Sequence, residues 1–190
     1  MEAVGTMPDG VEVQDANANG VPGLWITPKS ASTNHVVLYL HGGGYVVQSA
    51  KSHLKLASHI AVQANCRVLS IDYRLAPEHP HPAAVTDALG AYRHLLDSGF
   101  AANRIAISGD SAGGGLTIAT LVAARDAGLP QPLAGIPLSP WVDLEGTGES
   151  MDSNAGNDFM VGRGALAMMA DLFIASGSKR DPLEIGRAHV

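Results

Sequence analysis

Residues 105–116 have the sequence IAISGDSAGGGL, in which an apolar strand runs into a Gly-x-Ser-x-Gly turn and then into a helix. A serine at such a sharp turn takes strained backbone angles, and the residues two places to either side must be very small. Gly109 and Gly113 meet that requirement. The turn also lifts the hydroxyl of Ser111 out of the sheet at the positive end of the next helix, which predicts a nucleophilic serine.

Size and composition indicate one domain with a substantial core. The chain has 190 residues, of which 46% are hydrophobic and 16% charged, and this balance favours a buried α/β core over disorder. A net charge of −6 and the lack of any Lys/Arg cluster argue against a nucleic-acid partner. A single cysteine, Cys66, excludes an internal disulfide, and the apolar run after it indicates a buried structural thiol.

Targeting features are absent from the sequence. No apolar stretch approaches the ~20 residues that a membrane helix needs. The N-terminus has no basic segment followed by a hydrophobic core, so it does not resemble a secretion signal. The cytoplasm is therefore the expected compartment.

Strand and helix patterns alternate along the chain, which predicts a mostly parallel sheet with helices on both faces. From Glu145 onward the pattern changes, because residues 146–158 are polar and residues 164–174 form an amphipathic helix pattern. We expect that helix to turn Leu166, Met169, Ala170 and Phe173 inward, so that a segment at about 145–180 lies over the sheet. The predicted strands are 11–14, 24–26, 36–40, 68–71, 105–108 and a buried strand at 133–138; the predicted helices are 51–65, 83–96 and 112–127.

A second motif, His-Gly-Gly-Gly-Tyr at residues 41–45, follows the strand at 36–40. Acyl transfer creates an oxyanion that donors already in place must hold. Backbone N–H groups can approach such an oxygen closely where the residues carry no side chain. A Gly-rich turn or a phosphate loop is the alternative for this motif alone, but its pairing with the Gly-x-Ser-x-Gly turn favours an oxyanion loop.

Three motifs occur in a characteristic order: HGGGY at 41–45, YRLAPE at 73–78 and GDSAGG at 109–114. Over about residues 10–182 the chain resembles the hormone-sensitive-lipase-like (GDXG, bacterial family IV) esterases of the α/β-hydrolase superfamily. The resemblance implies an α/β-hydrolase fold with a partial helical lid. It also implies that the substrates are carboxylic esters with short or medium acyl chains, that no metal or cofactor is needed, and that the intact parent protein could form a homodimer.

The resemblance also implies residue roles. Ser111 matches the nucleophile, and the segment 74–78 matches a structural motif. Trp141 is expected to pack near the pocket floor, and for Asp143 a role in fixing a loop is favoured over a role in a triad. The remaining matches are the N–H groups of Gly43, Gly44 and Ala112 for the oxyanion hole, His41 as organiser of the glycine loop, and Gly42, Gly109, Asp110 and Gly113 as supports of the two motifs.

The other histidines have less specific surroundings. His79 and His81 lie in a proline-rich loop, where surface or packing roles are expected. Four more fall at strand or helix edges and are expected to be solvated: His35, His53, His59 and His94.

The catalytic acid and base depart from the family pattern. In this fold the chain order is serine, acid, histidine, yet the only histidine after Ser111 is His189. The stretch 181–183 resembles the family's acid motif, but it follows a polar segment instead of an apolar strand, so we interpret it as the return from the lid. Residues 184–190 match nothing in the family and resemble a translated sequencing adapter, which predicts a non-native tail.

These observations predict that residues 1–183 are an incomplete α/β-hydrolase domain that lacks its last strands. The fragment itself is then expected to hydrolyse esters negligibly and to aggregate through an apolar edge at 133–138. Two alternatives use the same fold: a non-catalytic receptor for a small ligand, and an amidase or peptidase. The intact serine turn and glycine loop favour the ester hydrolase.

Overall fold

Six strands form one sheet in the order β1-β2-β4-β3-β5-β6 in the computed structural model, which describes residues 6–179. Three neighbouring pairs, β4/β3, β3/β5 and β5/β6, are parallel, and the two pairs at the other end of the sheet are antiparallel. The strands are β1 (Val11–Ala18), β2 (Val21–Pro28), β3 (Ser32–Leu40), β4 (Cys66–Ile71), β5 (Ile105–Asp110) and β6 (Ala134–Leu138). The predicted α/β-hydrolase fold with a mostly parallel sheet is confirmed.

The β1/β2 hairpin is longer than the sequence pattern predicts. Val11 pairs with Pro28 at the open end, and Ala18 pairs with Val21 at the other end, which leaves Asn19 and Gly20 as a two-residue turn. Both turn residues have positive φ, 55° and 92°, which is the geometry that Asn-Gly favours in such turns. Most of β1 is exposed and its apolar residues alternate only weakly, so the pattern alone underestimates the length of the hairpin.

Helices cover both faces of the sheet. The helix α1 (Leu54–Gln63) packs on one face, and α2 (Ala83–Asp97) and α3 (Ala112–Asp126) pack on the other. The central strand β3 divides its side chains accordingly: Val37 and Tyr39 join the core under α1, whereas Leu38 and Leu40 join the core under α2 and α3. This two-sided burial explains the unbroken apolar run of β3.

The chain after β6 has little regular structure until its last helix. A short helix, α4 (Ser150–Ser153), interrupts the polar segment, and α5 (Arg163–Ile174) follows. Ala170 and Phe173 of α5 are buried, as the amphipathic pattern predicts. Within residues 6–179, no helix combines the length and apolar character that a membrane crossing requires.

Within the described residues, β6 lies at the edge of the sheet and pairs only with β5. The prediction of a buried strand at 133–138 is therefore wrong for this part of the chain, whereas the expected apolar edge is observed. Leu133 is 61% exposed and Ile136 is 46% exposed. A strand that is paired on one side only leaves its outer face and outer backbone groups open to solvent.

Candidate active site

Ser111 stands between β5 and α3 in a strained conformation. Its φ of 53° and ψ of −118° are outside the regions that serine normally adopts. Hydrogen bonds hold this geometry, because the Ser111 N–H donates to the Leu138 carbonyl (2.9 Å) and the Ser111 carbonyl accepts from Trp141 N–H (2.9 Å). The end of β6 and the segment after it therefore keep the serine at the top of the sheet.

The glycines on either side of Ser111 are required by close backbone packing. A Cβ on Gly113 would collide with the carbonyl oxygens of Leu40 and His41. A Cβ on Gly109 would collide with the carbonyl oxygens of Leu40 and Gly113. The first turn of α3 is thus pressed against the end of β3, where the glycine loop begins.

The Ser111 side chain is exposed, and within residues 6–179 its hydroxyl makes no hydrogen bond. Ala112, the first residue of α3, is buried, and its N–H lies in the helix's first turn, where no intrahelical partner exists. An open hydroxyl beside the positive end of a helix is available to a substrate.

The glycine loop supplies further unpaired amides. Gly43 and Gly44 have positive φ, 116° and 62°, and Tyr45 follows with φ 64°. Among the described residues, the N–H groups of Gly43 and Gly44 donate no hydrogen bond, whereas the Gly43 carbonyl accepts from the N–H of Val46 (3.1 Å). Gly43 is half-buried and Gly44 is buried, and amides without a partner at such positions are uncommon, so both are available to donate to an oxygen atom of a ligand.

His41 is a buried neutral histidine at the start of this loop. Its Nδ1 lies 2.7 Å from the Gly42 carbonyl oxygen, and its Nε2 is buried without a partner in the described structure. Burial lowers the pKa of His41, which favours the neutral ring with the proton on Nδ1. Tyr73 stacks on the ring at 4.3 Å between centroids and donates its hydroxyl to the His41 carbonyl (2.6 Å).

Asp110 joins the serine turn to the glycine loop. Its Oδ1 accepts hydrogen bonds from the Tyr39 hydroxyl (2.7 Å) and the Gly42 N–H (3.1 Å), and its Oδ2 lies 3.4 Å from Nε2 of His53. Burial alone would raise the pKa of Asp110, but the hydrogen bonds from His53 and Tyr39 outweigh it and the pKa is lowered. The ionised carboxylate of Asp110, which precedes Ser111, is therefore hydrogen-bonded to Gly42, which precedes Gly43.

His53 was missed by the sequence analysis, and the prediction that it is solvated is wrong. Its side chain is only 15% exposed, because it lies at the start of α1 against Asp110. No periodicity marks this position, so only the packing of α1 on the sheet reveals it. His59 is exposed, as predicted, whereas His94 is half-buried.

Residues of the other motifs hold the loops around the site. Arg74 makes a bidentate ion pair with the buried Asp87, through Nε at 2.9 Å and Nη2 at 2.7 Å. Asp143 accepts hydrogen bonds from the backbone N–H groups of Glu145 and Gly146, both at 3.1 Å. Trp141 donates its ring N–H to the Asp143 carbonyl (3.1 Å). These contacts agree with the structural roles expected of these segments.

The helix α5 packs against the glycine loop. The Phe173 ring stacks on Tyr45, and the Met169 side chain occupies the space that a Cβ on Gly44 would take. The backbone N–H of His81 donates to the Phe173 carbonyl (2.8 Å), which gives His81 the packing role expected of it. The end of α5 therefore covers the glycine loop. The amphipathic pattern of α5 predicts a buried face but not that this face packs on the glycine loop.

The remaining candidates lie outside the described residues. These are Asp181 in the segment 181–183, and His189 in the segment 184–190. Within residues 6–179, no three His, Cys, Asp or Glu side chains are grouped as metal ligands would be.

Comparisons with known proteins agree with this geometry. A family model described as alpha/beta hydrolase fold matches residues 37–186. The chain is 42% identical over 159 residues to an acetyl-hydrolase of Streptomyces hygroscopicus, a match that covers 84% of this chain and 53% of that protein. It is 39% identical over 137 residues to the putative acetyl-hydrolase LipR of Mycobacterium tuberculosis, covering 72% and 44%. The chain thus spans about half the length of the curated relatives it matches.

A solved structure is also similar. An esterase from the bacterial hormone-sensitive lipase family superimposes with a TM-score of 0.93 at 48% sequence identity, covering 95% of this chain and 61% of that one. Sequence and structure comparisons thus point to the same group. The chain belongs to the alpha/beta hydrolase fold family, and within it to the hormone-sensitive-lipase-like hydrolases.

Proposed function

We propose that the whole protein is a carboxylic-ester hydrolase that acts through an acyl-enzyme on Ser111. The proposal rests on an exposed, strained serine that is linked by hydrogen bonding to a loop with unpaired amides. The link is the hydrogen bond from the Gly42 N–H to the carboxylate of Asp110, the residue before Ser111. The relatives named acetyl-hydrolase and esterase support the same chemistry.

The reaction needs a nucleophile and donors for the oxyanion. The Ser111 Oγ attacks the ester carbonyl carbon as its proton passes to a histidine base, and the carbonyl oxygen becomes an oxyanion. The N–H groups of Gly43, Gly44 and Ala112 then stabilise that oxyanion. The alcohol leaves with the proton from the base, and water releases the acid from the acyl-enzyme.

In this fold the triad acid and base follow the serine in the chain, and residues 112–179 contain no histidine, so we assign both to the part of the whole protein after the described residues. Short to medium acyl esters are the proposed substrates, because Met169 leaves little room above Gly44 and relatives are named for acetyl groups.

The test uses the whole protein, with the coding region extended from its genomic DNA. A fluorophosphonate probe is expected to label Ser111, and p-nitrophenyl acetate and butyrate are expected to be hydrolysed. Ser111→Ala should abolish labelling and lower kcat/KM by about 10⁴-fold or more. Ser98→Ala, at an exposed serine after α2, is the matched control and should change neither.

Two results would contradict the proposal. One is a folded whole protein that the probe does not label at Ser111. The other is ester hydrolysis that survives in Ser111→Ala. A p-nitroanilide series run beside the esters measures any amidase activity of the same serine.

A homodimer, a cytoplasmic location and the lack of a nucleic-acid partner stay predictions for the whole protein. Size-exclusion chromatography with light scattering measures the first. A mass equal to one chain would contradict it.

A further inference from the structure

His53 faces a hydrogen-bond acceptor with each of its ring nitrogens. Its Nε2 lies 3.4 Å from Oδ2 of Asp110, and its Nδ1 lies 3.0 Å from Oγ of Ser52. The Ser52 hydroxyl lies 2.7 Å from the Ser49 carbonyl, to which it can donate while its oxygen accepts from Nδ1 of His53. Each ring nitrogen then has an acceptor, and the hydrogen bond to Asp110 raises the pKa of His53, so these surroundings favour the imidazolium form.

The surroundings of the neighbouring His41 favour the neutral ring instead. The rings of His41 and His53 are 5.6 Å apart between centroids. One nitrogen of His41 faces the Gly42 carbonyl, the other is buried without a partner in the described structure, and burial lowers the pKa of His41. The positive charge of the pair is therefore favoured on His53, whose ring faces Asp110.

The Asp110 carboxylate contacts both His53 and the glycine loop. Its Oδ2 faces His53, and its Oδ1 accepts the Gly42 N–H (3.1 Å) and the Tyr39 hydroxyl (2.7 Å). A Cβ on Gly42 would collide with the same carboxylate, so the loop is seated directly on it. Moving the carboxylate would move Gly42 and, with it, the amides of Gly43 and Gly44.

We propose that His53, in its imidazolium form, is a positioning residue that holds the Asp110 carboxylate and thereby sets the glycine loop relative to Ser111. This role rests on the proposed function, because the glycine loop that His53 would position is the proposed oxyanion site. In the described part of the chain, His53 makes no hydrogen bond to Ser111 or to the loop amides. It acts through Asp110, and its absence should lower kcat more than it changes KM.

The charge of His53 makes this role pH-dependent. The titratable groups that face it are Asp110 from β5, His41 from the loop after β3, and Tyr39 from β3; Ser49 and Ser52 face it from its own segment. The pKa of His53 is raised, chiefly by its hydrogen bond to Asp110, and this outweighs the lowering by burial. The positioning should therefore weaken as the pH rises through this raised pKa.

The experiment first uses a readout that needs no catalysis. In ¹⁵N-labelled protein, both ring nitrogens of His53 should be protonated at pH 6, and the ring should titrate above 6.5. The Gly42 amide should exchange with solvent about tenfold faster in His53→Leu than in the wild type. The exchange rate in His53→Gln, which keeps a donor but no charge, should lie between those two, and the rate in His59→Gln, at an exposed histidine of α1, should match the wild type.

Kinetics of the whole protein give the second readout. His53→Leu should lower kcat for p-nitrophenyl butyrate by about tenfold, less than the loss of a direct oxyanion donor, with little change in KM. A neutral His53 at pH 6, or unchanged Gly42 exchange in His53→Leu, overturns the proposal. So does an unchanged kcat in an active protein. If the wild type hydrolyses no ester, the proposed function fails, and the Gly42 exchange rate still decides the role of His53.

Discussion

The rings of Tyr45 and Phe173 are stacked, with centroids 3.9 Å apart and planes 10° from parallel. Tyr45 ends the glycine loop, and Phe173 is on α5, so this pair joins the segment after β6 to the candidate active site. Both side chains are almost fully buried. The contact makes the position of α5 part of the structure of the loop.

Phe173→Ala should lower the free energy of unfolding by about 3–5 kcal/mol, because it removes a buried ring and leaves a cavity. Denaturant unfolding measures the loss. Phe159→Ala is the matched control, since Phe159 is 97% exposed and its removal should cost less than about 0.5 kcal/mol. Equal effects of the two substitutions would mean that α5 does not pack on Tyr45.

Gly113→Ala should destabilise the protein by about 2–3 kcal/mol, because its Cβ would meet the carbonyl oxygens of Leu40 and His41 and the backbone must shift. Gly90→Ala, in the interior of α2 with open space around it, should instead stabilise by about 0.4–1 kcal/mol. Thermal unfolding compares the two. A tolerated Gly113→Ala would contradict the close packing of α3 on β3.

Met169→Ala should shift the acyl preference of the whole protein toward longer chains, because the Met169 side chain fills the space over Gly44. The ratio of kcat/KM for p-nitrophenyl octanoate over butyrate is expected to rise about tenfold. Met168→Ala, at the neighbouring exposed position, should leave the ratio unchanged. A ratio that moves equally in both variants would place the acyl chain elsewhere.

The ion pair of His53 and Asp110 should stabilise the fold in a defined pH window. The folded pKa of His53 is above its ordinary value of 6.5, so its contribution is complete below pH 6.5 and is lost as the pH rises through the raised pKa. The folded pKa of Asp110 is below its ordinary value of 3.8, so its contribution is present above pH 3.8 and is lost as the pH falls through the lowered pKa.

Chemical unfolding at a series of pH values measures this window. The free energy of unfolding of the wild type should exceed that of His53→Gln by about 1 kcal/mol at pH 5.5, a figure reduced by partial solvent screening. This difference should disappear at high pH. Burial lowers the pKa of His41, which opposes folding at acidic pH in both proteins. The charge of His53 contributes to that lowering, so the difference between the two proteins reports His53 together with its effect on His41. A gap that widens with rising pH would have the wrong sign.

Ile136→Lys should reduce aggregation of the 190-residue chain, because Ile136 is exposed on the strand that forms the sheet edge among the described residues. A charge on an edge strand opposes pairing with a second chain. Light scattering against concentration measures the change. Phe159→Lys, which adds the same charge away from the sheet, is the control, and equal improvement by both would implicate net charge instead of the edge.

The sequence by itself determined the fold and identified the centre of the candidate site. The pattern around Ser111 is local: a strand, a turn that only small residues permit, and a helix that begins at once. The same holds for the glycine loop, where residues without side chains follow a buried strand. Such short-range steric requirements can be deduced from residue order, and the three ordered motifs carried the family resemblance.

Only the tertiary structure decided which residues surround these motifs. His53 has no periodicity that distinguishes it from a solvated histidine, and it meets Asp110 because α1 packs beside β3 on the sheet. Met169 and Gly44 likewise meet through the path of a long irregular segment. Contacts between residues far apart in the chain depend on how the helices and strands pack. The side-chain pattern of one element shows which face is buried but not which residues it packs against.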